Sequence, residues 1–315
     1  MNNSNDSYPL GFVRRGEIEN VFLALTLGIV ALFSVFGNVA VIIAIFMSHV
    51  LREELPNRLI VNLAIADLTN GFFVMSSSLL SVMADCWEFG AVYCDFMCAM
   101  NYCLLITSML TLCFISCDRF QAITYPLHYL DRIKPVHINV MIAYSWLQGV
   151  LFSVVPSALD WVEYDYWETV CAIQWHRERQ AIYYVVFAFI LCFLLPGFIL
   201  ILNYYKIIKQ INTKVTCSTA PGSTYSTSSK AIRSLLIVVI AYFVCMTPFS
   251  VTKLIKVFIT QETLLNSRVN SAASVVAFMS SAVNPFIYGI FRKDFRRAYK
   301  RIVVSILNRG KEICF

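Results

Sequence analysis

The sequence carries little charge for its length. Only 14% of its 315 residues are Asp, Glu, Lys or Arg, whereas soluble proteins carry about 25%. Hydrophobic residues make up 58%, and the mean hydropathy is +0.67. This balance excludes an ordinary soluble domain and indicates a polytopic helical membrane protein. A transmembrane β-barrel would instead show short segments of alternating hydrophobicity.

The sequence also lacks the short motifs of common enzymes and metal sites. It has no HExxH, GxSxG or nucleotide-binding loop, and no CxxC or His-rich pair. We therefore expect no enzyme activity and no cofactor. No internal repeat or pore-lining polar stripe is visible, so a channel or transporter is a remote alternative. The polar opening residues lack the apolar core of a cleavable signal peptide.

Seven apolar stretches are long enough to cross a bilayer. They predict an all-α membrane protein, a seven-transmembrane helix bundle. We expect an N-terminal tail over 1–19, the bundle over 20–291, and a cytoplasmic amphipathic helix with a short tail over 292–315. The predicted spans are 20–47, 57–84, 91–125, 137–159, 180–209, 230–259 and 267–291.

The positions of Lys and Arg predict the orientation. Most of them fall on one side if the N-terminus is extracellular, which is the arrangement that the positive-inside rule favours. The net charge of +6 is then a topological signal, and no nucleic-acid partner is expected. Asn2 and Asn5 begin N-x-[ST] sequons and are expected to be glycosylated on an outward tail. We expect a multi-pass protein of the plasma membrane.

The segment after the last stretch predicts contact with membrane lipids. Phe291, Phe295 and Tyr299 recur at four-residue spacing with cations between them. This pattern is typical of an amphipathic helix on the inner membrane surface. The sequence leaves open whether Cys314 is lipidated.

Three apolar stretches contain polar groups that are unfavourable in lipid. The second contains Asp67, the third ends in Asp118-Arg119, and the seventh contains Asn284-Pro285. Polar groups at membrane depth are usually functional, and proline allows a helix to bend. Together they favour a conformational switch.

Short motifs occur in a fixed order, one set in each apolar stretch. They are Gly37-Asn38, Asn62 to Asp67, Cys94 with Asp118-Arg119-Phe120, Trp146 with Pro156, Pro196 with Tyr204, Cys245 to Pro248, and Asn284-Pro285 with Tyr288. Through them the chain resembles a rhodopsin-like (class A) G-protein-coupled receptor over all seven spans. The resemblance implies catalysis of nucleotide exchange on a heterotrimeric G protein, with arrestin and receptor kinases as further partners.

The resemblance also implies a coupling and switch set, in which Arg119 pairs with Asp118 at rest. Met246 stands where the family usually has Trp, Tyr242 where it has Phe, and Ser228 where strongly locked receptors have an acid. These departures predict either unusual switching or high basal activity. The set is Asp118, Arg119, Phe120, Leu127, Tyr204, Tyr242, Met246, Pro248, Asn284, Pro285 and Tyr288.

Motifs near Trp87 and Cys113 resemble the amine-receptor branch, but Asn101 stands where amine receptors have their ligand-binding Asp. A standard amine ligand is therefore disfavoured, and an orphan or chemosensory receptor for another small molecule stays open. So does a self-activating receptor whose second outer loop fills the pocket through Trp175. Lys253 is expected either to bind an anionic ligand or to extend to the outer rim. The implied ligand-binding residues are Asn101, Leu105, Ala188, Cys192, Phe249, Ser250, Lys253, Ser274, Phe278 and Trp175.

Two further sites follow from the resemblance. A buried sodium pocket is implied at Asp67, Ser108, Ser280 and Asn284, since a carboxylate with hydroxyl neighbours suits a hard cation. A disulfide is implied between Cys94 and Cys171. From position alone, Cys86 is a third outer cysteine that competes for either partner.

Overall fold

The structure is a computed structural model that describes residues 14–174, 179–217, 224–258 and 266–313. Asn2, Asn5, Trp175 and Cys314 lie outside these residues, and so does the side chain of Ser228. The helices are Glu17–Met47, His49–Glu53, Asn57–Thr69, Ser76–Ala84, Gly90–Thr124, Tyr129–Arg132, Pro135–Ala158, Arg179–Phe189, Leu195–Cys217, Thr224–Phe258, Ser267–Phe291 and Lys293–Ile313, with π-helical segments at Asn70–Met75 and Ile190–Leu194.

Within this described part, seven helical segments are long and apolar enough to cross a membrane, which confirms the predicted fold class. Span one begins at Glu17, inside the predicted tail, because Glu17 and Glu19 suit the positive end of a helix dipole. We number the segments from span one to span seven. They are Glu17–Met47, Asn57–Ala84, Gly90–Thr124, Pro135–Ala158, Arg179–Gln210, Leu235–Lys256 and Ser267–Phe291.

A buried polar contact joins spans two, three and four. The side-chain amide of Asn62 donates to Thr111 Oγ1 at 2.8 Å, and its oxygen accepts from Trp146 Nε1 at 2.8 Å. Because each buried polar group has its partner, the contact fixes the register of three helices. We call the end of the bundle that carries Arg119 the inner end, and the opposite end the outer end.

Gly149 lets span four pack closely against span three. A Cβ atom at this position would lie 2.8 Å from Thr107 Oγ1 and 2.9 Å from the Cys103 carbonyl oxygen. Since the carbonyl belongs to helix backbone, Gly149→Ala is expected to destabilise the protein by about 1–3 kcal/mol. Thermal unfolding of the purified protein measures this.

Gly28→Ala is the matched control. The nearest atom to its added Cβ would be Leu79 Cδ2, at an ordinary 3.8 Å, and alanine is the better helix former by about 1 kcal/mol. Its melting temperature should stay the same or rise. Equal melting temperatures for the two variants would contradict the packing described for spans three and four.

A β-hairpin covers the outer end. Strands β1 (Val162–Asp165) and β2 (Val170–Ile173) pair antiparallel, with Tyr164 opposite Cys171. Cys171 forms the expected disulfide with Cys94 at the start of span three. The turn between the strands enters the bundle, where Thr169 has φ +62° and accepts a hydrogen bond from the Ser78 hydroxyl at 2.8 Å.

At the inner end, helix Lys293–Ile313 packs back onto span seven. The Phe295 ring is fully buried, and its centroid lies 5.3 Å from that of Tyr288. Arg292, at the junction, donates to Asn57 Oδ1 and Glu54 Oε2, both at 3.1 Å. The predicted amphipathic helix therefore packs on span seven through Phe295, and Arg292 just before it ties the junction to Asn57 of span two and to Glu54.

Candidate ligand cavity and coupling site

A cavity of about 150 Å³ lies between spans three, five and six. Its lining is mostly aliphatic and aromatic, with Met246 and Tyr242 on span six toward the inner end and Ile173 of β2 toward the outer end. Of the predicted ligand-binding residues, the structure places six in its wall: Leu105, Ala188, Cys192, Phe249, Ser250 and Lys253.

A smaller cavity of about 20 Å³ adjoins it, and Leu105 and Phe249 line both. The smaller cavity takes in Asn101, Ser274 and Phe278 of the predicted set. Asn70, which sequence reasoning missed, also lines it, and its buried Oδ1 has no hydrogen-bond partner among the described residues. The predicted ligand site is thus divided in two, with the amide groups on the side of spans two, three and seven.

Lys253 does not extend to the outer rim; it lines the larger cavity and is already paired with an acid. Its ammonium donates to Glu168, which lies in the turn of the hairpin and is fully buried. Lys256 donates to the same carboxylate at 2.6 Å and to Asp165 Oδ2 at 2.8 Å. The hairpin therefore brings two acids against two lysines of span six. No sequence motif marked Glu168, because its role depends on how deeply the turn enters the bundle.

The charge state of Glu168 follows from these partners. Burial alone would raise the pKa of its carboxyl, but the charges and hydrogen bonds of Lys253 and Lys256 lower it from 4.5 to about 2. A lowered folded-state pKa contributes stability above pH 4.5, and this contribution is lost as the pH falls toward 2. The ion cluster is therefore intact throughout the neutral pH range.

At the inner end, Arg119 and Asp118 form the predicted ion pair. The guanidinium donates twice to Asp118 Oδ2, from Nε at 2.9 Å and from Nη2 at 2.5 Å. The fully buried Asp118 also accepts from the Tyr129 hydroxyl at 2.7 Å. Tyr129, in the short helix after span three, is a switch contact that sequence reasoning missed.

The other predicted coupling residues have distinct environments. Leu127 is 90% exposed beside Tyr129, so it is available to a partner. Phe120 packs against the inner core, and Pro248 and Pro285 lie within helices. The remaining members are buried inside the bundle: Tyr204, Tyr242, Met246, Asn284 and Tyr288.

The predicted sodium residues meet in part. Asn284 Nδ2 donates to Asp67 Oδ2 at 2.8 Å, and both side chains are buried. Ser281 lies close enough to interact with the Asp67 carboxylate, whereas the sequence pointed to its neighbour Ser280. Ser108 and Ser280 are buried. A carboxylate with neutral amide and hydroxyl neighbours, and without a described cationic partner, fits a small hard cation.

Comparison with known proteins decides the family. The model of the seven-transmembrane receptors of the rhodopsin family matches residues 37–288. The chain belongs to this family. The fold agrees with the crystal structure of squid rhodopsin, with a TM-score of 0.83 and 21% identity over 94% of this chain and 88% of that one. This rhodopsin-family receptor is therefore a multi-pass membrane protein that signals to heterotrimeric G proteins.

Relatives of this rhodopsin-family receptor include receptors named for amines. Human 5-hydroxytryptamine receptor 4 is 27% identical over 94% of this chain and 82% of its own length. Dog histamine H2 receptor is 28% identical (90% and 79%), and chimpanzee trace amine-associated receptor 6 is 29% identical (91% and 86%). The expected placement in the amine-receptor-like branch is confirmed.

Proposed function

We propose that the receptor responds to an extracellular small molecule that binds in the larger cavity. One observation carries this proposal: the cavity extends from Lys253 to Met246 and Tyr242, so one bound molecule contacts both the loop-linked lysine and the switch residues. A ligand shifts a conformational equilibrium only through contacts that differ between the states. Contacts with Met246 and Tyr242 supply that difference directly.

The ligand does not depend on an ammonium group. An ammonium needs a carboxylate in the binding site, and the matching position holds Asn101, which offers hydrogen bonds without charge. No acid lines either cavity among the described residues, and the cation Lys253 faces the larger one. A protonated amine would find no carboxylate partner in either wall, although several relatives are named for amines.

A ligand screen in cells that report cAMP, its inhibition and calcium tests this proposal. Any response should fall at least tenfold in potency in Phe249→Ala, because this ring lines both cavities. Phe198→Ala is the matched control, since its ring is exposed on the outside of span five. Responses unchanged by both Phe249→Ala and Asn101→Ala would place the ligand elsewhere.

A second candidate function is self-activation by the outer loop. The hairpin supplies Ile173 to the wall of the larger cavity, yet the cavity stays open. The described part of the loop therefore covers the pocket without filling it, which favours a ligand-regulated receptor. High basal activity is still expected from Met246 and Tyr242. A resting bias of about 1–2 kcal/mol leaves roughly 3–15% of molecules active.

Raising receptor expression without ligand measures this basal activity. The signal should rise in proportion to surface expression. A flat signal in every G-protein readout would leave the receptor fully ligand-dependent.

Sodium is proposed to bind at Asp67 and to favour the resting state. Replacing sodium with choline should then raise basal exchange, and Asp67→Asn should remove the difference.

Two arguments support an extracellular N-terminus at the plasma membrane: the distribution of Lys and Arg, and a disulfide that needs an oxidising compartment. Arrestin and receptor kinases are proposed as further partners of the inner end.

A further inference from the structure

The two carboxylate oxygens of Glu168, at the outer wall of the larger cavity, have different hydrogen-bond donors. Glu168 Oε1 accepts from Lys256 at 2.6 Å and from Asn270 at 3.4 Å, whereas Oε2 accepts from Lys253. Only Lys253 of these donors also lines the cavity. One oxygen of Glu168 therefore faces the cavity lysine, while the other is held away from the cavity.

This division lets Lys253 change its partner. Breaking a buried pair is normally strongly destabilising, because it leaves a buried charge uncompensated. If Lys253 turned to another anion, Glu168 would keep Lys256 and Asn270, so its charge would stay paired. A lysine ammonium has three donors on a flexible stem, which suits such an exchange.

The cavity beside Lys253 has the character of a site for one aromatic ring. Its volume of about 150 Å³ and its aliphatic and aromatic lining match cavities that bind benzene. The Phe249 ring centroid lies 5.2 Å from Lys253 Nζ. An aromatic body in the cavity and a negative group at Lys253 would therefore be adjacent.

We propose that Lys253 is a carboxylate-binding residue whose site is filled by Glu168 of the same chain. Small aromatic carboxylates would bind by placing the ring in the cavity and the carboxylate where Glu168 Oε2 lies. The hairpin turn then acts as a built-in competitor that sets the threshold for such ligands. This inference rests on the proposed function, since it assumes that ligands enter the larger cavity.

Benzoate tests the site, with benzamide as a neutral probe of similar shape. The purified full-length protein is titrated with each probe while its thermal unfolding is followed. Glu168→Gln removes the carboxylate that competes with benzoate for Lys253. Benzoate should therefore bind roughly 10–100-fold more tightly than in the wild type, the factor expected from one charge-assisted hydrogen bond. Benzamide should gain little.

Two further variants control this comparison. Glu163→Gln removes a carboxylate from β1 of the same hairpin and should leave benzoate affinity at the wild-type value. Adding Lys253→Met to Glu168→Gln should abolish the gain. Equal benzoate affinity in the wild type and in Glu168→Gln, or a gain that survives Lys253→Met, would overturn the proposal.

A wild-type background provides the second route if Glu168→Gln does not fold. Benzoate at high concentration should raise the melting temperature of the wild-type protein slightly. Lys253→Met, which leaves Glu168 paired with Lys256, should lose this increase, whereas Lys253→Arg should keep it. Failure of that difference also overturns the proposal. A screened aromatic carboxylate whose potency depends on Phe249 but not on Lys253 would refute the carboxylate site and leave the proposed function intact.

Discussion

Arg119→Ala is expected to abolish G-protein nucleotide exchange while the protein stays folded. The guanidinium is held near the inner end by two hydrogen bonds to Asp118, and Asp118 is held in turn by Tyr129. When the inner end of the bundle opens, this pre-organised guanidinium can exchange its bonds to Asp118 for contacts with the G protein. Exchange measured with purified receptor and G protein should fall to background.

Arg58→Ala is the matched control for this prediction. Arg58 is an exposed arginine at the inner end of span two, so it has the same charge without the buried partner. Its exchange rate should stay within about twofold of wild type, as expected for an exposed charge worth under about 1 kcal/mol. Normal exchange in a well-expressed Arg119→Ala protein would remove Arg119 from the coupling site.

Cys171→Ser should produce the largest loss of stability. The disulfide closes a segment with a sequence separation of 77 residues, and loop-closure entropy alone predicts about 4–5 kcal/mol for a loop of this length. The hairpin would also lose its covalent link to span three, so the Glu168 cluster should loosen. Surface expression and melting temperature should both fall sharply.

Cys86→Ser provides the comparison, because Cys86 is a half-buried outer cysteine outside the disulfide. Its melting temperature should stay close to wild type. If instead Cys86→Ser were as damaging as Cys171→Ser, the pairing at the outer end would need to be reassigned.

Much of this structure follows from the sequence. Apolar length predicted all seven spans, and family motifs led to the Cys94–Cys171 disulfide and the Asp118–Arg119 pair. Local patterns succeed here because helices in lipid must satisfy their own backbone hydrogen bonds, so apolar length alone decides which segments span.

The missed contacts share a different cause. Glu168 and Ser281 interact with residues that are distant in the sequence. Tyr129 reaches Asp118 through the turn after span three, and sequence periodicity does not reveal how such turns fold. The two π-helical segments were missed for a related reason, since a widened turn has no residue signature of its own. Tertiary placement had to be known before these residues could be given roles.

The hairpin also has a mechanical consequence. It is tied covalently to span three through Cys171 and ionically to span six through Lys253 and Lys256. It thus forms a strut across the mouth of the bundle and fixes the separation of two helices there. If the inner half of span six moved during activation, this strut would hold its outer half in place, and the helix would turn about the strut. A small rotation at the outer end would then give a larger displacement at the inner end.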